Sequence, residues 1–200
     1  MHMELIKEIK QSKILRNVLI SLIGTILLAI SSKIKIPFYP VPMTMQTLVV
    51  IFLGITLGWK LGVATVALYL FEGIIGLPVF SGSPEKGVGI VYFTGPTMGY
   101  LVGFLFTVYF AGKFHYNTID LTSLLKNYNV VNNIIKNFLK LTFSISFIYI
   151  FGILWLGTLI GWGKPLFELG AQPFLLAELF KILIVLIALP KIKKLNQYLK

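Results

Sequence analysis

The sequence predicts an all-α integral membrane protein with six transmembrane helices and both termini in the cytoplasm. Of its 200 residues, 56% are hydrophobic and 12% are charged, whereas a soluble domain has about 25% charged residues. The apolar residues form separate stretches, several of them near the roughly 20 residues that a helix needs to cross a bilayer. The lysines and arginines lie between these stretches, a pattern typical of membrane proteins.

The predicted helices form a single membrane domain over residues 1–200. They cover residues 15–32, 44–58, 61–76, 97–112, 138–160 and 174–189. The second is short, so five spans with a re-entrant second segment remain an alternative. Pro190, followed by lysines, predicts the end of the sixth helix. A basic N-terminal stretch resembles a signal peptide, but the following apolar run is long for one, and we expect no cleavage.

The positive charges predict the orientation. The net charge of +11 could suggest nucleic-acid binding, but the basic residues form no continuous face, and we exclude that class. With the N-terminus inside, four lysines lie outside: Lys33, Lys35, Lys86 and Lys164. Thirteen basic residues lie inside: Lys7, Lys10, Lys13, Arg16, Lys60, Lys113, Lys126, Lys136, Lys140, Lys191, Lys193, Lys194 and Lys200. Cytoplasmic loops carry such an excess, so both termini are predicted inside.

The three predicted outer loops differ in composition from the inner connections. They cover residues 33–43, 77–96 and 161–173 and hold eight of the nine prolines. Proline and glycine shape stiff, non-helical turns. These residues also break helices at any membrane edge. Their concentration on one side favours an outward-facing capture site.

Enzyme signatures are missing from the sequence. There is no GxxxxGK[ST] motif, which excludes ATP hydrolysis through a P-loop. The chain has no cysteine, two histidines outside the predicted spans and a single aspartate, Asp120, in a predicted inner linker. Common metal sites and Ser-His-Asp chemistry are therefore not predicted. We expect no enzyme and no cofactor, and keep a membrane enzyme or assembly factor without a transported ligand as the alternative.

Two ionisable residues share one face of the last predicted helix. Glu178 and Lys181 are three positions apart, and a charge inside a bilayer calls for a partner or a polar cavity. They could form a mutual ion pair, or they could line a ligand pocket beneath the outer loops. Glu72, near the outer end of its helix, fits a solvated position. Aromatic residues near the outer face fit an interfacial belt, and some in residues 80–93 could line a flat ligand site.

Four motifs in order carry a family resemblance. They are PVPxTxQT at residues 40–47, GxxGLPVF at 73–80, GPTxGYL at 95–101, and Pro173-Phe174 followed by Glu178 and Lys181. Together they resemble the BioY family, the biotin-binding components of energy-coupling factor transporters. Two positions depart from the family pattern: Glu178 stands in place of Asp, and Met98 in place of Gly.

The resemblance implies a six-helix bundle with an outward-facing biotin pocket and a lid made by the first outer loop. Glu178 would accept the ureido N–H groups, Lys181 would bind the carboxylate, and Lys86 is a candidate second cation. The full set of candidate biotin-binding residues is Thr44, Gln46, Phe80, Gly82, Lys86, Tyr92, Tyr100, Glu178 and Lys181.

The resemblance also implies partners. These are a transmembrane coupling subunit and two ATPase subunits, in addition to the lipids of a bacterial cytoplasmic membrane. Thr25 and Ala29, with Ser21 one step earlier, form a stripe of small residues that could dock the coupling subunit. Such stripes also pack helices within one protein. Uptake of biotin without these partners remains an alternative.

Overall fold

The structure is a computed structural model that describes residues 2–36, 39–117 and 128–199, with the backbone alone for residues 2–11. Pro37 of the predicted lid and Asp120 and Lys126 of the predicted linker lie outside the described residues. The helices are α1 (His2–Lys33), α2 (Gln46–Ile74), a 3-10 helix (Gly89–Thr94), α3 (Met98–Lys113), α4 (Tyr128–Ile160), α5 (Leu166–Gly170) and α6 (Gln172–Leu199). Two short strands, β1 (Lys35–Ile36) and β2 (Met43–Thr44), pair in antiparallel fashion.

Helix α2 is bent back on itself at Gly58. Gly58 has φ 75° and ψ 169°, a conformation outside the helical region that glycine adopts without a side-chain penalty. On a straight helix, residues eight positions apart are about 12 Å apart along the axis. Here a Cβ atom on Gly62 would lie 3.5 Å from the Cα of Gly54. The two halves of α2 therefore lie side by side, and their break coincides with the predicted connection between the second and third helices.

Glycines bring α3 and α4 into direct backbone contact. A Cβ atom on Gly103 would lie 2.5 Å from the Cα of Ile148, and one on Gly99 would overlap the carbonyl oxygen of Phe151. Gly54 approaches α3 in the same way, because its Cβ would lie 2.8 Å from the carbonyl oxygen of Val108. Small residues permit such close helix packing in membrane proteins. Helices α2, α3 and α4 thus form a tightly joined block.

The helices have the length and composition of membrane spans. Among the described residues, four helices have the length and composition needed to cross a bilayer: Ser12–Lys33 within α1, α2, α4 and α6, although α2 reaches that length only when its two halves are counted together. Helix α3 is apolar but shorter. Many large apolar side chains point outward, among them Ile23, Leu154, Leu176 and Ile187, as expected for helices surrounded by lipid. The chain is an integral membrane protein whose regular structure, over the described residues, is helical apart from the small hairpin.

Three helices extend beyond the apolar segments predicted for them. Helix α4 begins at Tyr128 rather than near residue 138, and α1 begins at His2. Helix α6 continues through Pro190 to Leu199, so the expectation that Pro190 ends this helix is wrong. The extension is held by packing, since Asn196 Nδ2 donates to the carbonyl oxygens of Ile55 at 3.1 Å and Thr56 at 2.6 Å. These carbonyls lie beside the bend at Gly58.

Candidate functional site

A polar cavity lies beneath the first two loops, among α2, α3, α4 and α6. Its volume is about 60 Å³, well below the roughly 300–1,000 Å³ of typical ligand pockets. Six residues expected at the site line it: Thr44, Gln46, Tyr92, Tyr100, Glu178 and Lys181. The cavity therefore brings together residues from three of the four sequence motifs, including the one on the last helix.

Glu178 and Lys181 form an ion pair in the wall of this cavity. Lys181 Nζ lies 2.7 Å from Glu178 Oε1, and the residues are 4% and 5% exposed, respectively. The ammonium also donates to the carbonyl oxygen of Thr44 at 2.8 Å. Glu178 Oε2 is buried without a well-formed hydrogen bond among the described residues, and the Tyr149 hydroxyl lies near this carboxylate. Because a buried acceptor without a well-placed donor is costly, this oxygen is suited to accept a hydrogen bond from a ligand.

Gln46, at the start of α2, belongs to a buried chain of hydrogen bonds. Its Nε2 atom donates to the hydroxyl oxygen of Tyr69 at 2.7 Å, and this hydroxyl donates to the carbonyl oxygen of Val79 at 2.9 Å. Gln46 Oε1 lies 3.3 Å from the hydroxyl oxygen of Thr44. Tyr69 is fully buried behind the cavity wall. This series of hydrogen bonds connects the cavity to the second loop.

Side chains from two elements, α1 and the 3-10 helix, anchor the second loop over the cavity. Ser32 donates to the Val79 carbonyl at 2.8 Å, and Lys33 Nζ donates to the carbonyls of Phe80 and Ser83 at 2.8 and 2.9 Å. Tyr92 donates to the Ser81 carbonyl at 2.7 Å. Burial raises the pKa of the Tyr92 phenol, so it stays protonated as a donor. The loop backbone is thus held from α1 and from its own 3-10 helix.

Three other candidate residues lie outside the cavity lining. Phe80 is buried between aromatic rings, with its centroid 4.7 Å from that of Tyr92 and 5.3 Å from that of Tyr69. Gly82 has φ 78° and packs against the Lys86 side chain, because a Cβ there would lie 2.9 Å from Lys86 Cδ. Lys86 itself is exposed. These residues shape the loop above the cavity.

The docking role expected for Thr25 conflicts with its burial. Thr25 is 2% exposed and bonds to the Leu22 carbonyl of its own helix. The neighbouring Ser21 accepts a hydrogen bond from Thr65 of α2 at 3.1 Å, and Ala29 packs against the core. The small-residue stripe therefore packs α1 against α2 within this protein.

Other lining residues were missed by the sequence interpretation. They include Thr47, Ser81, Thr97, Phe104, Ile148 and Tyr149. Thr47 and Thr97 lie inside quoted motifs and Ser81 follows one, so proximity to a motif could have found them. Ile148 and Tyr149 belong to α4, where no motif was identified, and only the packing of α4 against α3 and α6 reveals them.

A second, apolar groove opens between α4 and α6. Its volume is about 610 Å³, and its lining is almost entirely aliphatic and aromatic. Glu178 and Tyr149 line both the groove and the polar cavity. The larger groove lacks convergent polar groups, whereas the smaller cavity has an ion pair, an amide and several hydroxyls. The polar cavity is therefore the candidate binding site.

A bundle of apolar helices enclosing a polar cavity under anchored loops defines a membrane protein that binds a small molecule. A sequence profile of the BioY family matches residues 3–198. The chain belongs to the BioY family.

Curated relatives agree with this assignment. The chain is 32% identical to the probable biotin transporter BioY of Pyrococcus horikoshii over 155 residues, 78% of this chain and 82% of the relative. It is 31% identical to the biotin transporter BioY of Rhizobium etli over 172 residues, 84% of this chain and 87% of the relative. A crystal structure of the S-component for biotin from an ECF-type ABC transporter is similar, with TM-score 0.68, 25% identity and 93% coverage of both chains.

Proposed function

We propose that the chain takes up biotin, binding it from the outer side of a bacterial cytoplasmic membrane as the substrate-binding component of an ECF-type transporter. The observation that carries the proposal is the buried Glu178–Lys181 pair in the wall of a polar cavity. Biotin joins a bicyclic urea, with two N–H donors, to an anionic tail. A carboxylate and an ammonium in one cavity suit the two ends of such a molecule.

Ligand entry would exchange the partners of the ion pair. A buried charge that loses its partner is destabilising by about 3–5 kcal/mol. The biotin carboxylate would replace Glu178 as the anion beside Lys181, while a ureido N–H group would replace Lys181 as the donor to Glu178. Each buried charged group then keeps a hydrogen-bond partner, which supports the assignment of Glu178 to the ureido group and Lys181 to the carboxylate.

Binding also requires the cavity to expand. A cavity of about 60 Å³ has room for a few water molecules, and biotin is much larger. The first loop is tied to α6 through the Lys181–Thr44 hydrogen bond. Release of this bond would let the loop move away from α6 and then close over the ligand, which is the role proposed for it as a lid.

The proposed topology has six membrane crossings and cytoplasmic termini. The reversal of α2 at Gly58 supports six crossings, because each half of α2 then crosses the membrane separately. The distribution of basic residues supports cytoplasmic termini. The cavity then faces outward, which fits capture of a scarce vitamin.

Energy-driven transport would require partner subunits. The similar solved structure is named as a component of an ECF-type ABC transporter. We propose a transmembrane coupling subunit and two ATPase subunits as partners, with the chain also able to act alone as the alternative. Because Thr25 is covered by the chain's own helices, the coupling subunit would dock on another face.

Equilibrium binding of radiolabelled biotin to the purified protein tests the proposal. We expect saturable binding at one biotin per chain, with excess unlabelled biotin displacing the label. A Glu178→Ala/Lys181→Ala double variant that stays folded should bind no label. Absence of saturable binding by the folded wild-type protein would contradict the proposed function.

A further inference from the structure

The direction of the hydrogen bonds around Tyr69 assigns the orientation of the Gln46 side-chain amide. A carbonyl oxygen such as that of Val79 can only accept, so the Tyr69 hydroxyl, 2.9 Å away, donates its hydrogen there. The Tyr69 oxygen is then free to accept, and Gln46 Nε2 donates to it at 2.7 Å. With the amide reversed, the single Tyr69 hydrogen would have to turn to Gln46 Oε1, and the Val79 carbonyl would keep only Ser32 as its donor. Because Tyr69 is fully buried, solvent does not replace the hydrogen bond that this reversal loses.

This orientation turns the amide oxygen of Gln46 toward the cavity. Oε1 lies on the side of Thr44, which lines the cavity, whereas Nε2 faces Tyr69, which does not. The contact from Thr44 is long, at 3.3 Å, and a carbonyl-type oxygen has two lone pairs. Gln46 Oε1 can therefore accept a further hydrogen bond from a ligand.

Gln46 and Glu178 bring two acceptor side chains to the cavity. Glu178 Oε2 is buried without a well-formed hydrogen bond among the described residues, with the Tyr149 hydroxyl near the carboxylate. The two residues come from different helices, α2 and α6, and line the same small space. A ligand satisfies both acceptors if it carries two N–H donors at one end, as a cyclic urea does.

We propose that Tyr69 is a positioning residue that holds Gln46 as a hydrogen-bond acceptor and thereby makes the site select a ligand with a second N–H donor. This inference rests on the proposed function and deepens it. Glu178 alone would serve one N–H group, and an amide free to rotate could serve either a donor or an acceptor. Because Tyr69 donates to Val79, the Gln46 amide keeps its oxygen toward the ligand. A ligand in which one N–H group is replaced should therefore bind more weakly.

The test compares biotin with its two mono-N-methyl ureido derivatives. In the wild-type protein, one of the two derivatives should lose the hydrogen bond to Gln46 and bind more weakly than biotin. Tyr69→Phe frees the amide to rotate. It should weaken biotin by roughly threefold to tenfold, the value of one hydrogen bond, and weaken that derivative less. The ratio of the two affinities should therefore shrink.

Lys33→Met is the matched control. Lys33 Nζ donates to the Phe80 and Ser83 carbonyls of the second loop, and among the described residues it has no hydrogen bond to Tyr69 or Gln46. The variant loosens the second loop and leaves the Gln46–Tyr69 contact in place. We expect it to leave the affinity ratio unchanged. If Lys33→Met shrinks the ratio as much as Tyr69→Phe does, Tyr69 acts through the loop and the proposal is wrong.

Gln46→Leu is a second test of the inference, and it replaces Tyr69→Phe if that variant does not fold. Gln46→Leu should shrink the same ratio, and adding Tyr69→Phe to it should have no further effect on the ratio. An unchanged ratio in folded Tyr69→Phe or in Gln46→Leu overturns the inference while leaving biotin binding standing. A wild-type protein that binds no biotin overturns the proposed function and, with it, the inference.

Discussion

Lys181 Nζ lies 2.8 Å from the carbonyl oxygen of Thr44, and this hydrogen bond joins α6 to the hairpin of the first loop. The same ammonium pairs with Glu178 at 2.7 Å. The side chain that we assign to the ligand carboxylate therefore also holds the loop above the cavity. Binding and loop movement would be coupled through one atom, because a ligand carboxylate competes for the hydrogens of that ammonium.

Lys181→Met should weaken the binding of biotin and spare a neutral biotin amide. The variant keeps the apolar stem but removes the charge-assisted hydrogen bond, worth about 1.5–3 kcal/mol. Affinity for biotin should fall roughly tenfold to a hundredfold, while that for the amide should change little. Isothermal titration with both ligands measures the difference. If the affinities for the acid and the amide fall equally, Lys181 does not bind the ligand carboxylate.

Glu178→Gln should weaken both ligands, because both keep the ureido group. Glu178→Gln and Lys181→Met each leave one buried charge without its partner, so the melting temperature of both variants should fall. The ratio of acid to amide affinities in Lys181→Met separates ligand binding from this loss of stability, whereas folded Glu178→Gln should lower both affinities. A purely structural pair would lower the melting temperatures, leave the ratio in Lys181→Met unchanged and leave both affinities of folded Glu178→Gln unchanged.

The first loop should lose mobility when biotin binds. Tyr39 is 88% exposed at the tip of this loop, and the chain has no native cysteine, so Tyr39→Cys gives a single site for a spin label. Its spectrum should broaden on addition of biotin. A label on Trp162→Cys in the third loop should not respond. Unchanged mobility of the Tyr39 label at saturating biotin would exclude the lid.

The positions of the termini and of the second loop can be tested with fused reporters. A reporter active only in the cytoplasm should give a signal when fused after Lys200 and none when fused after Lys86. This expectation follows from the excess of basic residues on the predicted inner side. The opposite pattern of signals would invert the topology and place the cavity on the cytoplasmic side.

Gly103→Ala should destabilise the protein. The added methyl group would lie 2.5 Å from the Cα of Ile148 and 2.9 Å from the carbonyl oxygen of Phe147, so α3 and α4 must separate. Overpacking of this kind typically costs about 1–3 kcal/mol. Gly163→Ala is the matched control, since nothing lies within 4 Å of its Cβ position. Equal melting temperatures for the two variants would contradict the close packing.

The sequence predicts those parts of the site that depend on residues close together in the chain. Glu178 and Lys181 share a helix face by their separation alone, and Thr44 and Gln46 lie in one motif. Tyr69 escaped notice because its role arises from contacts with Val79, ten positions away, and with Gln46 on the facing half of α2. The motif places Gln46 at the site, but it does not show that packing commits one of its N–H groups to Tyr69.

Helix ends were harder to predict for a different reason. The bilayer criterion measures apolar length, so it cannot register the polar turns that extend α4 and α6 beyond the apolar segments. Those turns are stabilised by long-range contacts, such as Asn196 with the carbonyls of Ile55 and Thr56. In contrast, the bend in α2 was predicted, because Gly58 marks it in the sequence.

The glycine contacts between α3 and α4 divide the cavity into a rigid side and an adjustable side. Backbones already in contact cannot approach further, and separating them forfeits dispersion contacts along both helices. Helix α6 faces α4 across an open groove, and in the part of the chain that the structure describes the Lys181 ammonium ties it to the first loop. Growth of the cavity to ligand size would therefore come from movement of α6 and the hairpin, while α3 and α4 stay in place.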